Sequence, residues 1–192
     1  MTITPDDALI VVDAQNDFAP GGALPVNDAR LIVPAINELA YSFEHIVFSR
    51  DWHPSDHCSF AVEPDFVDGS WPPHCVQDTP GAEFLGDLHV PVDAIIVSKG
   101  MNPDKEAYSA FEGTDLAEIL QEHEVRRLFV CGLATDYCVK ATALDAKDLG
   151  FEVIVLIDAC RGIDSPRGSI SRAFDEMRRA SIVLCQSEAV LQ

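Results

Sequence analysis

Asp13, Lys99 and Cys138 lie far apart in sequence, yet their side chains belong together chemically. A thiol becomes a good nucleophile when a base removes its proton, and a carboxylate within hydrogen-bond reach can be that base. The resulting carboxylic acid can then protonate a leaving amine. A lysine between the two would hold the charges together and lower the thiol pKa. Read singly, each residue has a plainer role. An aspartate after a strand often caps a turn, a Lys-Gly pair often ends a strand, and a buried cysteine is commonly an inert small hydrophobe.

A second group, Asp51, His53, His57 and His74, offers carboxylate and imidazole ligands suited to zinc, iron or manganese. In extended chain Asp51 and His53 point to the same side, and His57 lies one loop turn on. Solvated loop histidines are the alternative, although four of the six histidines fall in one irregular segment. A structural zinc using Cys58 or Cys75 competes less well, because each cysteine directly follows a histidine. Phe18, Trp71, Tyr108 and Phe111 lie in loops, where aromatic side chains can sandwich a flat ring. Packing of the loops onto the sheet is the stronger reading for Tyr108 and Phe111. Gly21-Gly22 lacks the spacing and the Lys-Ser/Thr partner of a phosphate loop.

These residues must be positioned by the elements around them. The stretch Phe129–Gly150 reads as strand, sharp turn and helix, with Thr135 as N-cap and Cys138 in the first helical turn. A cysteine there faces the positive end of the helix dipole, and free N–H groups of the same turn can hold an oxyanion. Apolar runs predict further strands at Ala8–Val12, Ile46–Arg50, Ala94–Ser98, Val153–Ile157 and Ser181–Cys185. Helices are expected over Ala29–Phe43, with Asp28 as cap and a bend at Pro34, and near Asp115–His123 after Thr114. Another should start at Ser165-Pro166, as N-cap and N1, and reach Ala180. Residues 51–93 are mostly irregular, and so long a stretch in a compact domain is usually functional. Strands alternating with helices imply a doubly wound α/β domain: a parallel six-stranded sheet with helices on both faces. Ligands of such sheets bind beyond the carboxyl ends of the strands, where Asp13, Asp51, Lys99 and the turn before Cys138 would share one rim.

The length suits one domain over residues 1–192, with a metal-binding insertion at about 51–93. A formal charge of −19 argues against nucleic acid or an anionic membrane as partner. By itself it does not argue for a cationic substrate, and solubility or a saline cytoplasm is the plainer account. No apolar run approaches the ~18 residues of a membrane span. Six scattered cysteines fit a reducing cytoplasm better than a disulfide scaffold. A small-molecule substrate is the expected partner, and a homo-oligomer is compatible with the chain.

Taken together, the segments VDAQNDFAPGGALPV, SRDWHPSDHCSF, WPPHCVQDTPGAEF, KGMNPDKEAYSAF and GLATDYCVKATALDA resemble the isochorismatase-like cysteine hydrolases. Within that family they are similar to the nicotinamidase/pyrazinamidase branch. The pairing of DWHPSDH with WPPHCV is the most specific feature, and the resemblance covers nearly the whole chain. It implies an amidohydrolase that converts nicotinamide to nicotinate and ammonia in NAD salvage, and takes pyrazinamide as well. It further implies Cys138 as nucleophile, Asp13 as proton carrier and Lys99 as third catalytic member. One divalent metal, foremost zinc, would be bound by Asp51, His53, His57 and His74. Phe18, Trp71 and Tyr108 would contact the ring. Ala134 and Cys138 would supply the oxyanion hole, with a cis peptide at Leu133-Ala134. Two rival readings are a metal-independent amidase or hydrolase of the same family, and a non-enzymatic metal-binding or thiol redox protein.

Overall fold

The computed structural model describes residues 1–66 and 69–191. Six parallel strands form one sheet in the order β3-β2-β1-β4-β5-β6. In chain order these are β1 (Asp7–Val12), β2 (His45–Asp51), β3 (Ile95–Lys99), β4 (Arg127–Leu133), β5 (Glu152–Arg161) and β6 (Val183–Cys185). The helices are α1 (Val33–Ala40), α2 (Leu116–Glu122), α3 (Lys140–Asp148) and α4 (Ser169–Arg179). Strand order runs one way from β1 to β3 and the other way from β4 to β6. Right-handed crossovers in opposite directions place helices on opposite faces of the sheet.

Apolar content decides where each strand sits. Every residue of β1 is buried, and so are all but the first of β4, as expected for central strands covered on both faces. Each fully buried Leu, Ile or Phe on them stabilises the fold by roughly 1.5–3 kcal/mol. The edge strands are less covered, with Ile96 of β3 42% and Val183 of β6 49% exposed. Gly132 lets β1 and β4 close up: a Cβ there would lie 2.1 Å from the Val12 carbonyl oxygen.

Several local expectations need correction. The expected helix over 29–43 divides into a 3-10 turn at Ala29–Ile32 and α1, and Asp28 makes no side-chain cap bond. Thr135 caps nothing. Ala134 occupies the cap position, and Thr135–Val139 form a π turn before α3 begins. Ser165-Pro166 does not open α4 but forms a cis peptide in the preceding loop, and the helix starts at Ser169 behind Gly168. The N-terminal neighbour of α2 is Asp115 rather than Thr114, whose Oγ1 accepts a long 3.4 Å bond from Leu116 N–H. The Thr114 hydroxyl turns instead to the Ala110 carbonyl, four residues back. The connection between β2 and β3 is irregular as expected, with a 3-10 turn at Pro80–Ala82 and isolated bridges at His53–Val76 and Phe60–Trp71. No helix among the described residues is long and apolar enough to cross a membrane.

Candidate active site

The site stands where the winding of the sheet reverses, between β1 and β4. Asp13 follows β1, Asp51 ends β2, Lys99 ends β3, and the Cys138 turn follows β4. Parallel pairing sets Asp51 opposite Lys99, and the Asp13 N–H donates to the Ser49 carbonyl at 3.2 Å. Asp13 has φ 45°, a left-handed conformation that aspartate tolerates better than most residues. The Leu133-Ala134 peptide is cis, and Val139 N–H reaches back to the Ala134 carbonyl at 3.1 Å. That i→i+5 bond is the π-type widening often found at functional sites.

Lys99 is the hub. Its Nζ lies 2.9 Å from Asp13 Oδ2 and 2.5 Å from Asp51 Oδ1. It also donates to the Ala107 carbonyl at 3.2 Å and approaches Cys138 Sγ at 3.4 Å. Asp13 Oδ1 accepts the Ser49 hydroxyl at 2.7 Å. Asp13 Oδ2 is buried with no well-directed hydrogen bond among the described residues, so it keeps a lone pair for a proton. Ligand atoms of Asp13, Asp51 and Cys138 all lie within 4.8 Å of one another.

The electrostatics correct one expectation from sequence. Burial pushes the Cys138 thiol well up, and the Asp13 and Asp51 carboxylates add to that against the pull of Lys99. Burial also raises Asp13, with Lys99 opposing and Asp51 reinforcing the rise. Burial drives Asp51 up as well, but Lys99, His53 and His74 together hold its carboxyl far below the usual range. Lys99 is held well above its ordinary value by the two carboxylates, against its own burial. Lys99 pulls the thiol down, as the sequence suggests, but burial and the two carboxylates outweigh that pull. The arrangement sets a thiol biased toward its protonated form beside a carboxylate of raised basicity.

Asp51, His53 and His74 converge with their remaining atoms. His53 Nε2 lies 3.7 Å and His74 Nε2 3.9 Å from Asp51 Oδ2. His53 Nδ1 is 3.0 Å from the Gly100 carbonyl and His74 Nδ1 is 2.8 Å from the Pro72 carbonyl. Those carbonyls fix Nδ1–H, leaving both Nε2 lone pairs facing the carboxylate, the orientation that metal-bound imidazoles need. Two ligands about 2.0–2.2 Å from one divalent ion would stand roughly 3–3.4 Å apart, near the observed separations, and a shell of five or more would leave a position beside four protein ligands. Gly100 is required here, since a Cβ would sit 2.4 Å from His53 Cε1. His57 lies tilted beside His53, ring centres 4.2 Å apart, with Nδ1 2.8 Å from Ser59 Oγ and Nε2 3.2 Å from the Lys105 carbonyl. Its ligand atom groups with His53 and Glu106 rather than with Asp51 and His74.

A narrow cavity lies between the two groups and is lined by Phe18, Trp71, His74, Tyr108, Ala134 and Cys138, among others. Phe18 and Trp71 are buried rather than exposed loop aromatics. Trp71 Nε1 donates to the Tyr108 hydroxyl at 3.0 Å, which fixes both rings. Phe111 is outside the cavity and stacks on Phe151. Sequence reasoning missed Leu24, Glu106, Ala107, Tyr137 and Ile163 in the lining. Only Tyr137, beside Cys138, carried a local signal. It also missed Ser49 and Gln15, whose amide accepts Asp51 N–H and donates to the Asp51 and Ala82 carbonyls at 2.8 Å.

Known proteins share this arrangement of elements. The nicotinamidase of Escherichia coli is 41% identical over 94% of this chain and 94% of its own. The crystal structure of the pyrazinamidase of Pyrococcus horikoshii in complex with zinc is 52% identical with TM-score 0.86, covering 95% of this chain and 99% of that one. The structure of PnC1 from L. infantum in complex with nicotinate is 37% identical with TM-score 0.89, covering 99% and 98%. The isochorismatase domain pattern itself matches residues 7–188, the whole sheet and every residue of the site, so the chain belongs to the isochorismatase family.

Proposed function

We propose that this protein is a nicotinamidase, an amidohydrolase that converts nicotinamide to nicotinate and ammonia and also accepts pyrazinamide. The observation that carries the reading is that Asp13 and Lys99 meet at Cys138, which lines one cavity together with Asp51, His53 and His74. Relatives of the same branch at 40–41% identity are nicotinamidases, which supports the substrate class.

Cys138 Sγ attacks the carboxamide carbon while its proton passes to Asp13. Because burial disfavours both a free thiolate and a free carboxylate, this transfer removes one buried negative charge as attack creates another on the substrate oxygen. The Ala134 and Cys138 N–H groups would hold that oxyanion, and losing one such donor typically costs about 100-fold or more in rate. Protonated Asp13 then gives its proton to the leaving nitrogen, the C–N bond breaks, and ammonia departs from a thioester. Water, deprotonated by the same carboxylate, cleaves the thioester to nicotinate and restores the thiol. Lys99 keeps Asp13 oriented and partly neutralised throughout.

Asp51, His53 and His74 would hold a divalent ion, zinc foremost, with His57 as fourth ligand once its Nε2 exchanges the Lys105 carbonyl for the ion. Such an ion would supply a Lewis-acid anchor for the pyridine nitrogen, while Phe18, Trp71 and Tyr108 would hold the ring in place. Ammonia release from nicotinamide, with and without chelator, tests the reading. Turnover that falls on chelation and returns with zinc is expected. Absence of turnover in the zinc-loaded protein refutes it.

A further inference from the structure

The turn that carries Cys138 holds another buried acid, one the reaction does not use. Asp136 is 4% exposed. Its Oδ1 accepts the Ile163 N–H at 3.0 Å, and its Oδ2 accepts the Asp164 N–H at 2.9 Å and the Ser169 hydroxyl at 2.5 Å. No cation forms an ion pair with it among the described residues. All three donors belong to the β5–α4 connection and its entry into α4. That connection is seated without slack: a Cβ on Gly162 would lie 2.7 Å from Asp136 Oδ1 and 2.6 Å from Ile170 Cγ1. Next along the turn, the Tyr137 hydroxyl donates to the Ser165 carbonyl. Ile163, Tyr137 and Cys138 all line the same cavity.

One carboxylate thus ties the nucleophile's turn to the segment that supplies a wall of the cavity. A carboxylate suits this position and an amide does not. Three donors converge on two oxygens, whereas an asparagine would turn its NH2 toward at least one N–H or O–H donor. Such charge-assisted bonds are about twice as strong as neutral ones, which makes the tie rigid.

We propose that Asp136 is a positioning residue that sets ring selectivity, by seating residues 162–169 so that Ile163 completes the cavity wall beside Cys138. The proposal deepens the nicotinamidase reading and rests on it for the identity of the ring. Asp136 touches no reacting atom, so its effect falls on ring binding more than on chemistry.

The test compares zinc-loaded wild type, Asp136→Asn and Ile163→Ala on nicotinamide and on nicotinamide bearing a ring methyl group, with calorimetric affinity for nicotinate alongside. Removing apolar wall contact in a pocket is worth on the order of tenfold or more, so KM for nicotinamide should rise by about that factor with a smaller fall in kcat. The methylated substrate should gain in relative kcat/KM. Ile163→Ala keeps the backbone N–H that Asp136 accepts, so it should reproduce the relaxed selectivity, lowering the melting temperature only through its own lost packing. If Asp136→Asn fails to fold, Ser169→Ala, which removes one of the three donors, should show the same trend in weaker form. Unchanged KM, selectivity and nicotinate affinity in the variants that fold would overturn the proposal. So would a kcat loss equal for both substrates. A wild type inactive on nicotinamide would instead refute the reaction, while nicotinate affinity would still report on the wall.

Discussion

Replacing Lys99 by methionine removes the cation on which the whole site closes. Wild-type Lys99 is buried within 2.9 Å of Asp13 and 2.5 Å of Asp51. In Lys99→Met those carboxylates face each other with no cation between them. Breaking a buried ion pair by deleting one partner costs about 3–5 kcal/mol. At roughly 2–4 °C per kcal/mol for a chain of this size, the melting temperature should fall by about 6–20 °C near neutral pH. The loss should depend on pH with a definite sign. Without Lys99, burial and mutual repulsion raise both carboxyl groups in the folded state above their unfolded values of about 4. A group raised in this way contributes stability below its unfolded pKa and loses it as pH rises through the folded pKa. The gap between variant and wild type should therefore be widest at about pH 8 and narrow toward about pH 5. Zinc should narrow it further at any pH by offsetting the Asp51 charge. Differential scanning fluorimetry of both proteins from acid to alkaline pH, with chelator and with zinc, measures all of this. Equal melting temperatures near pH 8, or a gap that does not change with pH, would refute the assignment of Lys99 as the charge that the two carboxylates require.

The remaining predictions concern the reaction. Cys138→Ser should fold and retain metal but release almost no ammonia, because a hydroxyl is a far weaker acid than a thiol; steady turnover near the wild-type rate would exclude the thioester route. Ser49→Ala removes the 2.7 Å bond that lowers Asp13, so the acidic limb of the kcat/KM profile should move to higher pH. An unmoved limb would mean that Asp13 is not the titrating base. His53→Ala should weaken zinc retention, measured by metal analysis, together with nicotinamide binding. Benzamide has the carboxamide without the ring nitrogen, so zinc removal should depress its slow turnover far less than that of nicotinamide. An equal depression would place the metal in the chemistry or the fold rather than in ring positioning.

Much of the architecture was legible in the chain because it rests on local, strongly patterned signals. Apolar runs such as Ala8–Val12 and Leu128–Cys131 can satisfy their burial only as central strands of a parallel sheet, and the helical stretches between them impose crossovers. Asp13, Asp51, Lys99 and the Cys138 turn were legible as one rim for the same reason, since each follows a strand's carboxyl end. What the sequence left open depends on distances between segments that share no local pattern. Thr135 and Ser165-Pro166 carry good capping signals, yet the π turn and the loop tied to Asp136 use those residues otherwise. A helix terminus and a lysine, which draw the Cys138 thiol down, are visible in sequence, whereas its burial beside Asp13 and Asp51, which pushes it up, is not. Ile163 reached the cavity wall, and His57 turned toward the Lys105 carbonyl, through packing between elements remote in the chain. The sequence by itself determined which residue types meet at the rim. Only the tertiary structure decided which atoms of them face one another, because desolvation and hydrogen-bond direction exist only once the chain has closed around them.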